Sequence, residues 1–294
     1  MGRPRVELHD SGLERRILLT ICLLAAVYAL LVAGLVVAGA AAVIVGAVAG
    51  TVVAFQLLTG DRLVLRVIGA RESQPDQHPA LHAAVARVCM LADMPEPRVA
   101  VARSSMPNAL AVGRTRGGAT LCVTTEMLRV LDPPELEAVV AHELAHIQNR
   151  DALVMTVASF LSLVAGLIAR FVPNFGHAAL RVMAVASTLL AWALSVLLLR
   201  SLSRYRELAA DRAAALVTGR PSALASALMK LDRAAAGLPK KDLRAAQSVA
   251  ALCFVAPDAR RRFDRLTATH PTTERRVAAL EALEEQLQRI GPRA

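Results

Sequence analysis

One long apolar run constrains this sequence more than any other feature, because residues 17–60 contain no charged side chain. A helix needs about 20 residues to cross a bilayer, so a run of about 44 residues is long enough for two crossings. Gly34 and Gly39 lie where a tight reversal between two helices would fall, since glycine tolerates positive φ. A cleaved signal peptide behind Arg15 and Arg16 is the alternative, but its apolar region would have only about 7 to 15 residues. The run therefore predicts a transmembrane hairpin.

A second pair of membrane spans is predicted further along the chain. Hydrophobic residues make up 55% of the sequence and its mean hydropathy is +0.46, values too high for an ordinary soluble enzyme. Residues 152–168 and 182–199 are apolar enough to cross, and a short polar loop separates them. Cytoplasmic flanks of spans hold an excess of arginine, and the arginines near these four spans concentrate on one side. We therefore expect a multi-pass protein of the plasma membrane with its N-terminus and both large polar portions in the cytoplasm.

The predicted spans also organise the charge and the polar parts of the chain. The expected parts are a tail (1–16), the hairpin (17–60), a first polar portion (61–151), a second membrane pair (152–199) and a second polar portion (200–294). The net charge of +10 comes largely from arginines at the span ends and in the C-terminal part. Such charges attract anionic lipid head groups, so we expect the lipid bilayer as a partner and no nucleic acid. Four cysteines without CxxC spacing fit reduced thiols in a cytoplasmic domain.

The first polar portion predicts a helix followed by a small sheet. Residues 78–92 place Leu81, Val85 and other apolar side chains at helical spacing. Residues 97–102 and 119–125 have the composition of strands, and turn-forming proline, asparagine and glycine residues lie between them. A small antiparallel sheet is the simplest arrangement of these strands.

A strong helix start precedes the most informative motif. Asp132 is a good N-cap, proline follows it at the first helical position, and Glu135 stands three residues later, as in a capping box. The helix that begins here carries an HExxH motif at His142, Glu143 and His146.

Helical geometry gives this motif its chemical meaning. Residues four apart lie on one helix face, so His142 and His146 can chelate the same metal ion. Neutral imidazoles suit Zn²⁺, and a catalytic zinc site keeps one position open for water, whose pKa falls from about 15.7 to about 7. Glu143 would accept the proton of that water and pass it to the leaving amine. The alternative is an amphipathic helix whose histidines only pack or face solvent.

The second polar portion supplies a candidate for the third protein ligand of a catalytic zinc ion. Glu207 opens a polar helix directly after the fourth predicted span. Asp211 follows one helical turn later on the same face, where it can accept the second ring N–H of a zinc-bound histidine and fix its tautomer. Alternatively, these acids only reflect the enrichment of acidic residues at helix N-termini.

The order of these landmarks carries a family resemblance over most of the chain. Two spans, the segment around Asn108, the HExxH helix as far as Asp151, two more spans and the stretch from Glu207 to Asp211 follow one another. The sequence resembles the HtpX family of membrane-bound zinc metalloproteases, which is related to the CAAX prenyl proteases. The resemblance implies a mainly α membrane protein, with four transmembrane helices plus a cytoplasmic zincin-like α+β peptidase domain that contains the small antiparallel sheet.

The same resemblance implies an activity and a set of site residues. His142, His146 and Glu207 would bind one Zn²⁺ per chain, and Glu143 would be the general base of an endopeptidase. Its substrates would be membrane or misfolded proteins that are handled in quality control. The family also has a late His-Pro element, matched here by residues 270–273 and Arg276, and in related enzymes its histidine, here His270, lies near the metal. His270 would then contribute to catalysis, or else it only caps the last helix.

A substrate-binding segment is predicted at residues 108–113. A protease holds its substrate extended, and an exposed strand edge does so through backbone hydrogen bonds without demanding a particular sequence. Asn108, Ala109 and Leu110 are candidates for such an edge, although the segment can equally be an ordinary loop. Leu110 and Leu208 stand where the family usually has an aromatic residue, which bears on the substrate groove and not on the metal ligands.

Two other functions stay open at this point. An intramembrane metalloprotease also uses HExxH, but polar residues flank this motif helix, which favours a zinc site near the cytoplasmic membrane surface. A non-catalytic membrane scaffold would bind no stoichiometric zinc and would not need Glu143. The sequence does not indicate the natural substrates, the oligomeric state or the regulation.

Overall fold

The computed structural model describes residues 62–113, 115–152, 178–236 and 271–290, together with residues 154 and 155 and scattered positions before residue 62. The chain divides into two compact units. The first unit comprises Met1–Asp10, Arg62–Ala152 and Arg204–Ala294, and the second comprises Ser11–Asp61 and Leu153–Ser203.

Helices dominate the described residues, and a few short strands lie among them. In chain order the elements are β1 (Ala70–Glu72), α1 (Pro79–Ala92), β2 (Arg98–Ala102), β3 (Ala109–Val112), a 3-10 turn (Arg116–Gly118), β4 (Thr120–Thr124), α2 (Thr125–Val130), α3 (Pro133–Gln148), α4 (Ala178–Thr218), α5 (Pro221–Ala236) and α6 (Thr273–Ile290). The predicted helix at residues 78–92 is confirmed by α1, and the two predicted strands are confirmed by β2 and β4.

The sheet is mixed, which corrects the prediction of an antiparallel sheet. Its strand order is β1-β2-β4-β3. β2 and β4 are parallel, with Val99 opposite Leu121, whereas β1 pairs with β2 and β3 pairs with β4 in antiparallel orientation. The reason is the additional strand β3, because the chain leaves β2, forms β3 and turns back once more to form β4. An intervening strand of opposite direction makes β2 and β4 run the same way.

A glycine allows the chain at the end of β3 to approach the chain just before β4 closely. Gly113 has φ +141, and a Cβ at this position would lie 2.5 Å from Ala119 Cα. The side chain of Thr115 caps the 3-10 turn by accepting a hydrogen bond from Gly118 N–H at 3.2 Å. The β3–β4 hairpin therefore depends on a residue without a side chain at position 113.

Helix α3 lies within the main hydrophobic core of the first unit. It contacts α1, α5 and β3, and its residues Val139, Ala141 and Leu144 are completely buried. Alternate strand residues, among them Leu110 and Cys122, join a second apolar cluster, so both faces of the sheet are buried. Because a close-packed core resists displacement of its elements, side chains on α3 are held in fixed positions.

The N-terminus of α3 has the predicted capping box and is clamped to α5. Asp132 N–H donates to Glu135 Oε2 at 2.9 Å. Ser226 Oγ donates to Glu135 Oε1 at 2.6 Å, and Lys230 Nζ donates to Glu135 Oε2 at 2.8 Å and to Asp132 Oδ2 at 2.6 Å. These contacts fix the start of the helix that carries HExxH.

Among the residues that the structure describes, no helix is both long and apolar enough to cross a membrane. The predicted hairpin at residues 17–60 and the third predicted span at residues 152–168 lie largely outside the described residues, as does the predicted tail at residues 1–16. The fourth predicted span, residues 182–199, falls on α4. The four crossings stay a prediction.

Candidate metal centre

Two imidazole rings meet on one face of α3. His142 and His146 are four residues apart, which places them one helical turn from each other. Their Nε2 atoms are 3.0 Å apart, and the rings meet edge-on with an angle of 85° between their planes. Both predicted ligands therefore present Nε2 to the same point.

Glu207 brings a carboxylate from α4 to that point. Its Oε2 lies 3.6 Å from His142 Nε2, and its Oε1 lies 3.6 Å from His146 Nε2. Each of the three residues offers one ligand atom, and these atoms lie within 4.8 Å of one another. The fold thus brings together the three residues that the sequence predicts as metal ligands.

A second carboxylate faces the other nitrogen of His142. Its Nδ1 lies 2.9 Å from Oδ1 of Asp211, one turn beyond Glu207 on α4. Arg276 of α6 holds the same carboxylate, with Nε 2.7 Å from Oδ2 and Nη2 2.6 Å from Oδ1. Asp211 and Arg276 are both buried. Asp211 lies where its predicted role requires. Arg276 belongs to the late element that the family resemblance singles out, but its contact with Asp211 is not part of the prediction.

His146 has an equivalent carboxylate, which the sequence pattern does not reveal. His146 Nδ1 lies 2.5 Å from Asp151 Oδ2, and Arg206 Nε lies 2.8 Å from Asp151 Oδ1. Asp151 and Arg206 are buried. Because Asp151 lies beyond the end of α3, helical periodicity gives no sign of this contact. The available signal is an acidic residue close behind the HExxH helix.

Glu143 is buried next to His142 on α3. Burial raises the pKa of its carboxyl group, and the positive potential of the two imidazoles acts in the opposite direction without cancelling that rise. A carboxyl group with a raised pKa is better matched to proton transfer near neutral pH. The surroundings of Glu143 therefore suit the predicted role of a general base.

The buried charges around the imidazoles favour a cation at their meeting point. When all of them are ionised, the carboxylates outnumber the guanidinium groups by two; the set comprises Glu143, Asp151, Glu207, Asp211, Arg206 and Arg276. A buried net charge is unfavourable. The pKa of His142 reflects this negative potential: burial acts to lower it, but hydrogen bonds to Asp211 and Glu207 raise it to about 9. A divalent cation between the Nε2 atoms would balance the charge.

The donor atoms and their spacing fit a zinc ion. Two imidazole nitrogens and one carboxylate oxygen form the protein ligands of many catalytic zinc sites, which leave a further position open. Zinc bonds to such atoms are about 2.0–2.1 Å long, so ligand atoms in tetrahedral arrangement lie about 3.3 Å apart. The two Nε2 atoms are 3.0 Å apart, and Glu207 places one oxygen 3.6 Å from His142 Nε2 and its other oxygen 3.6 Å from His146 Nε2. His142, His146 and Glu207 are therefore arranged as a zinc site.

The predicted substrate segment lies at an edge of the sheet. β3 pairs with β4 and has no second neighbour among the described strands, and it contacts α3. Ala109 and Leu110 belong to this strand and are buried, as is Asn108 just before it. The segment is thus mostly a strand and not a loop, while its contact with a substrate stays a prediction. His270 lies outside the described residues.

An HExxH helix with a glutamate ligand from a second helix is typical of zinc-dependent metallopeptidases. Comparison with known proteins supports this class, because the family model of peptidase family M48 matches residues 75–284. The chain is 39% identical over 288 residues to "Protease HtpX homolog 2" of Methanosarcina mazei, a match that covers 95% of this chain and 98% of the relative. It is 45% identical over 288 residues to "Protease HtpX homolog 1" of Streptomyces coelicolor, covering 95% of each chain. The chain therefore belongs to the HtpX proteases of peptidase family M48.

A solved structure has the same fold. The crystal structure of S. mikatae Ste24p matches with a TM-score of 0.50 at 16% identity, over 92% of this chain and 66% of the other. This likeness concerns the fold alone. The family match and the cluster of His142, His146 and Glu207 assign the chain as a zinc metalloendopeptidase. A non-catalytic scaffold is excluded by this assignment.

Proposed function

We propose that this metalloendopeptidase hydrolyses peptide bonds of membrane or misfolded proteins, as part of protein quality control. The observation that carries the proposal is the cluster of His142, His146 and Glu207 ligand atoms within 4.8 Å, with Glu143 buried beside it. The predicted spans at residues 17–60 and 152–199 support the choice of substrates, since an enzyme anchored in a bilayer meets bilayer proteins at high local concentration.

The proposed mechanism assigns one task to each polar side chain. His142, His146 and Glu207 hold the zinc ion, which when bound supplies Lewis-acid chemistry that polarises a carbonyl group and acidifies water. The Glu143 carboxylate accepts a proton from the attacking water and delivers it to the nitrogen of the leaving amine. Asp211 accepts the Nδ1 proton of His142, which leaves the lone pair of Nε2 for the metal.

The outer edge of β3 is the proposed binding site for the substrate backbone. Asn108 directs both backbone groups at β4, because its N–H donates to Thr124 Oγ1 at 2.8 Å and its carbonyl accepts from Thr124 N–H at 2.9 Å. Residues of an antiparallel strand alternate in this respect, so Ala109 and Ala111 direct their N–H and C=O groups away from β4. An extended peptide that pairs with these two residues would lie along the side of β3 that faces away from β4, where no described strand lies.

We also propose that the N-terminus and the peptidase unit face the cytoplasm. The support is the concentration of arginine at one side of the four predicted spans. His270 is proposed to act near the metal, on the strength of the family resemblance alone.

Activity is tested with the full chain purified in detergent in the presence of a chelator. Addition of Zn²⁺ should start cleavage of casein or of the protein itself, and Glu143→Gln should abolish this cleavage while zinc stoichiometry stays at one per chain. Glu137→Gln is the matched control, because Glu137 lies on the same helix and its contact with the described residues is a weak one, with Arg87 at 3.9 Å. Unchanged cleavage by Glu143→Gln would refute the mechanism, and full zinc stoichiometry in Glu207→Ala would show that the third ligand is misassigned.

The substrate class needs a separate experiment in cells. Cells that contain the wild-type enzyme are compared with cells that contain Glu143→Gln, and the proteins that accumulate in the second are identified by mass spectrometry. Enrichment of multi-pass membrane proteins and of misfolded proteins is expected. Accumulation confined to folded soluble proteins would contradict the proposed role in quality control.

A further inference from the structure

The chain reverses sharply between the end of α3 and Asp151. Arg150 has φ 54, in the left-handed region that residues other than glycine and asparagine seldom occupy. The N–H groups of Asn149 and Arg150 donate to carbonyl groups in the last turn of α3 at 3.0 and 3.1 Å. Backbone strain of this kind persists where the surroundings hold it, and it concentrates at functional sites. Here the strained turn brings Asp151 back onto His146.

Arg206 connects this turn to the second helix that bears a metal ligand. Its Nε lies 2.8 Å from Asp151 Oδ1, while the other oxygen of Asp151 lies 2.5 Å from His146 Nδ1. Arg206 directly precedes Glu207 on α4. One ion pair therefore reaches a metal ligand at each end, His146 through its ring and Glu207 through the backbone.

The stability of the fold does not account for this ion pair. Asp151 and Arg206 are buried, and burying two charges requires loss of hydration that their attraction rarely exceeds. A carboxylate behind a metal-binding histidine, in contrast, fixes the tautomer and the orientation of the ring and makes it a stronger ligand. The ion pair of Asp151 and Arg206 therefore contributes to the geometry of the metal site.

We propose that Asp151 and Arg206 are positioning residues for the metal. Asp151 holds the proton of His146 on Nδ1 and points Nε2 at the ligand carboxylate, and Arg206 fixes Asp151 and the rotation of α4 at Glu207. This inference rests on the proposed function, in which His142, His146 and Glu207 bind zinc.

Zinc affinity of the full chain in detergent, measured by competition with a chelator, tests this inference. Asp151→Asn keeps the shape of the side chain and removes its charge. Loss of a carboxylate behind a metal-binding histidine typically weakens metal affinity about 10–100-fold, and we expect a loss in that range. Arg206→Lys keeps the positive charge and a donor, so its affinity should stay within about fivefold of wild type. Cobalt(II) in place of zinc should show a changed visible absorption spectrum in Asp151→Asn.

A double variant separates positioning from packing. Asp151→Asn combined with Arg206→Gln no longer leaves a buried guanidinium group without its partner charge, so the thermal midpoint should return toward that of wild type. Zinc affinity should nevertheless stay about 10–100-fold weaker. Glu135→Gln is the matched control, because it alters another buried carboxylate near α3's start and should lower the thermal midpoint without changing zinc affinity or the cobalt spectrum.

Two results would overturn the inference and leave the proposed function intact. One is zinc affinity of Asp151→Asn within about threefold of wild type, well below the expected range. The other is recovery of zinc affinity together with thermal stability in the double variant. Failure of the wild-type chain to bind one zinc ion would instead refute the proposed function itself.

Discussion

Each imidazole of the metal site is backed by a carboxylate, and each carboxylate is held by an arginine. The two series of contacts are His142–Asp211–Arg276 and His146–Asp151–Arg206. The carboxylates accept the protons on the Nδ1 atoms, so the Nε2 lone pairs of both rings converge. At 3.0 Å the two Nε2 atoms must share a proton or a metal ion between them, and a metal ion is bound by both lone pairs at once.

The left-handed conformation of Arg150 leads to a prediction about a single exposed residue. Arg150→Gly should raise the free energy of unfolding by about 0.5–1 kcal/mol, because glycine adopts positive φ without the steric penalty. Arg150→Val should lower it by about 1 kcal/mol or more, since a β-branched residue is poorly tolerated there. Thermal unfolding of the two variants measures the difference. Equal midpoints for both would contradict the role of this turn.

Local spacing predicts part of the site, and contacts between distant segments supply the rest. The i, i+4 spacing of His142 and His146 on one helix face is a property of the sequence alone. The contact of Asp151 with His146 could not be predicted in this way, because the residue before Asp151 is left-handed and helical periodicity ends there. The contact of Arg276 with Asp211 could not be predicted either, because it depends on how α6 packs in the folded chain.

At the scale of elements, the HExxH helix is held at both of its ends. α3 is clamped at its start through Glu135, is buried along its length and ends in the strained turn that carries Asp151. A helix fixed at both ends cannot shift without breaking buried polar contacts. Metal ligands on such a helix are preorganised.

The β3–β4 hairpin gives a prediction about glycine. Gly113→Ala should destabilise the first unit by about 2–4 kcal/mol, because the new Cβ would meet the Ala119 backbone and the φ of +141 is unfavourable for alanine. Gly117→Ala is the matched control, since a Cβ there meets nothing within 4 Å. Chemical denaturation of both variants measures the effect. Similar stabilities would show that the hairpin can relax around residue 113.

The outer edge of β3 gives a prediction about substrate binding. Ala111→Pro removes an N–H that points away from β4, so the protein should still fold. The KM for casein should rise about 2- to 10-fold, because the substrate loses one hydrogen bond. Val112→Pro is the contrasting variant, because its N–H points toward β4 and its loss should destabilise the sheet. An unchanged KM in a folded Ala111→Pro enzyme would argue against binding at this edge.

Sequence patterns identified most of these elements but not their pairing. The sequence predicts the capping box at Asp132 and the strands β2 and β4, because the signal for each comes from residues that are neighbours in the chain. The parallel pairing of β2 with β4 could not be predicted, because it depends on the position of β3 between them. β3 is a strand of only four residues, which is too short to give a clear periodic signal.

The first unit as a whole is built from two stretches of chain, and this limits how the chain can cross a membrane. Arg62–Ala152 and Arg204–Ala294 form one compact unit, so both stretches lie on the same side of any bilayer. Residues 153–203 between them must then cross an even number of times. The prediction of two spans between residues 152 and 199 meets this condition.

Cysteine labelling tests that topology. A membrane-impermeant maleimide should reach Arg181→Cys from one side of the membrane, and Arg71→Cys and Arg220→Cys from the other. Arg71 and Arg220 are exposed residues from the two stretches of the first unit, whereas Arg181 lies between the third and fourth predicted spans. Labelling of Arg181→Cys and Arg220→Cys from the same side would overturn the predicted crossings.

The native thiols permit this experiment with few changes. Burial, aided by the negative charge of Glu96, raises the pKa of Cys89 to about 12, and burial raises the pKa of Cys122 to about 12. Because only the thiolate reacts with maleimide at an appreciable rate, both should stay unlabelled in the folded protein. Cys22→Ser and Cys253→Ser then complete the background. Opposite labelling of Arg71→Cys and Arg220→Cys in this background would contradict the single compact unit, because its two stretches cannot meet across a bilayer.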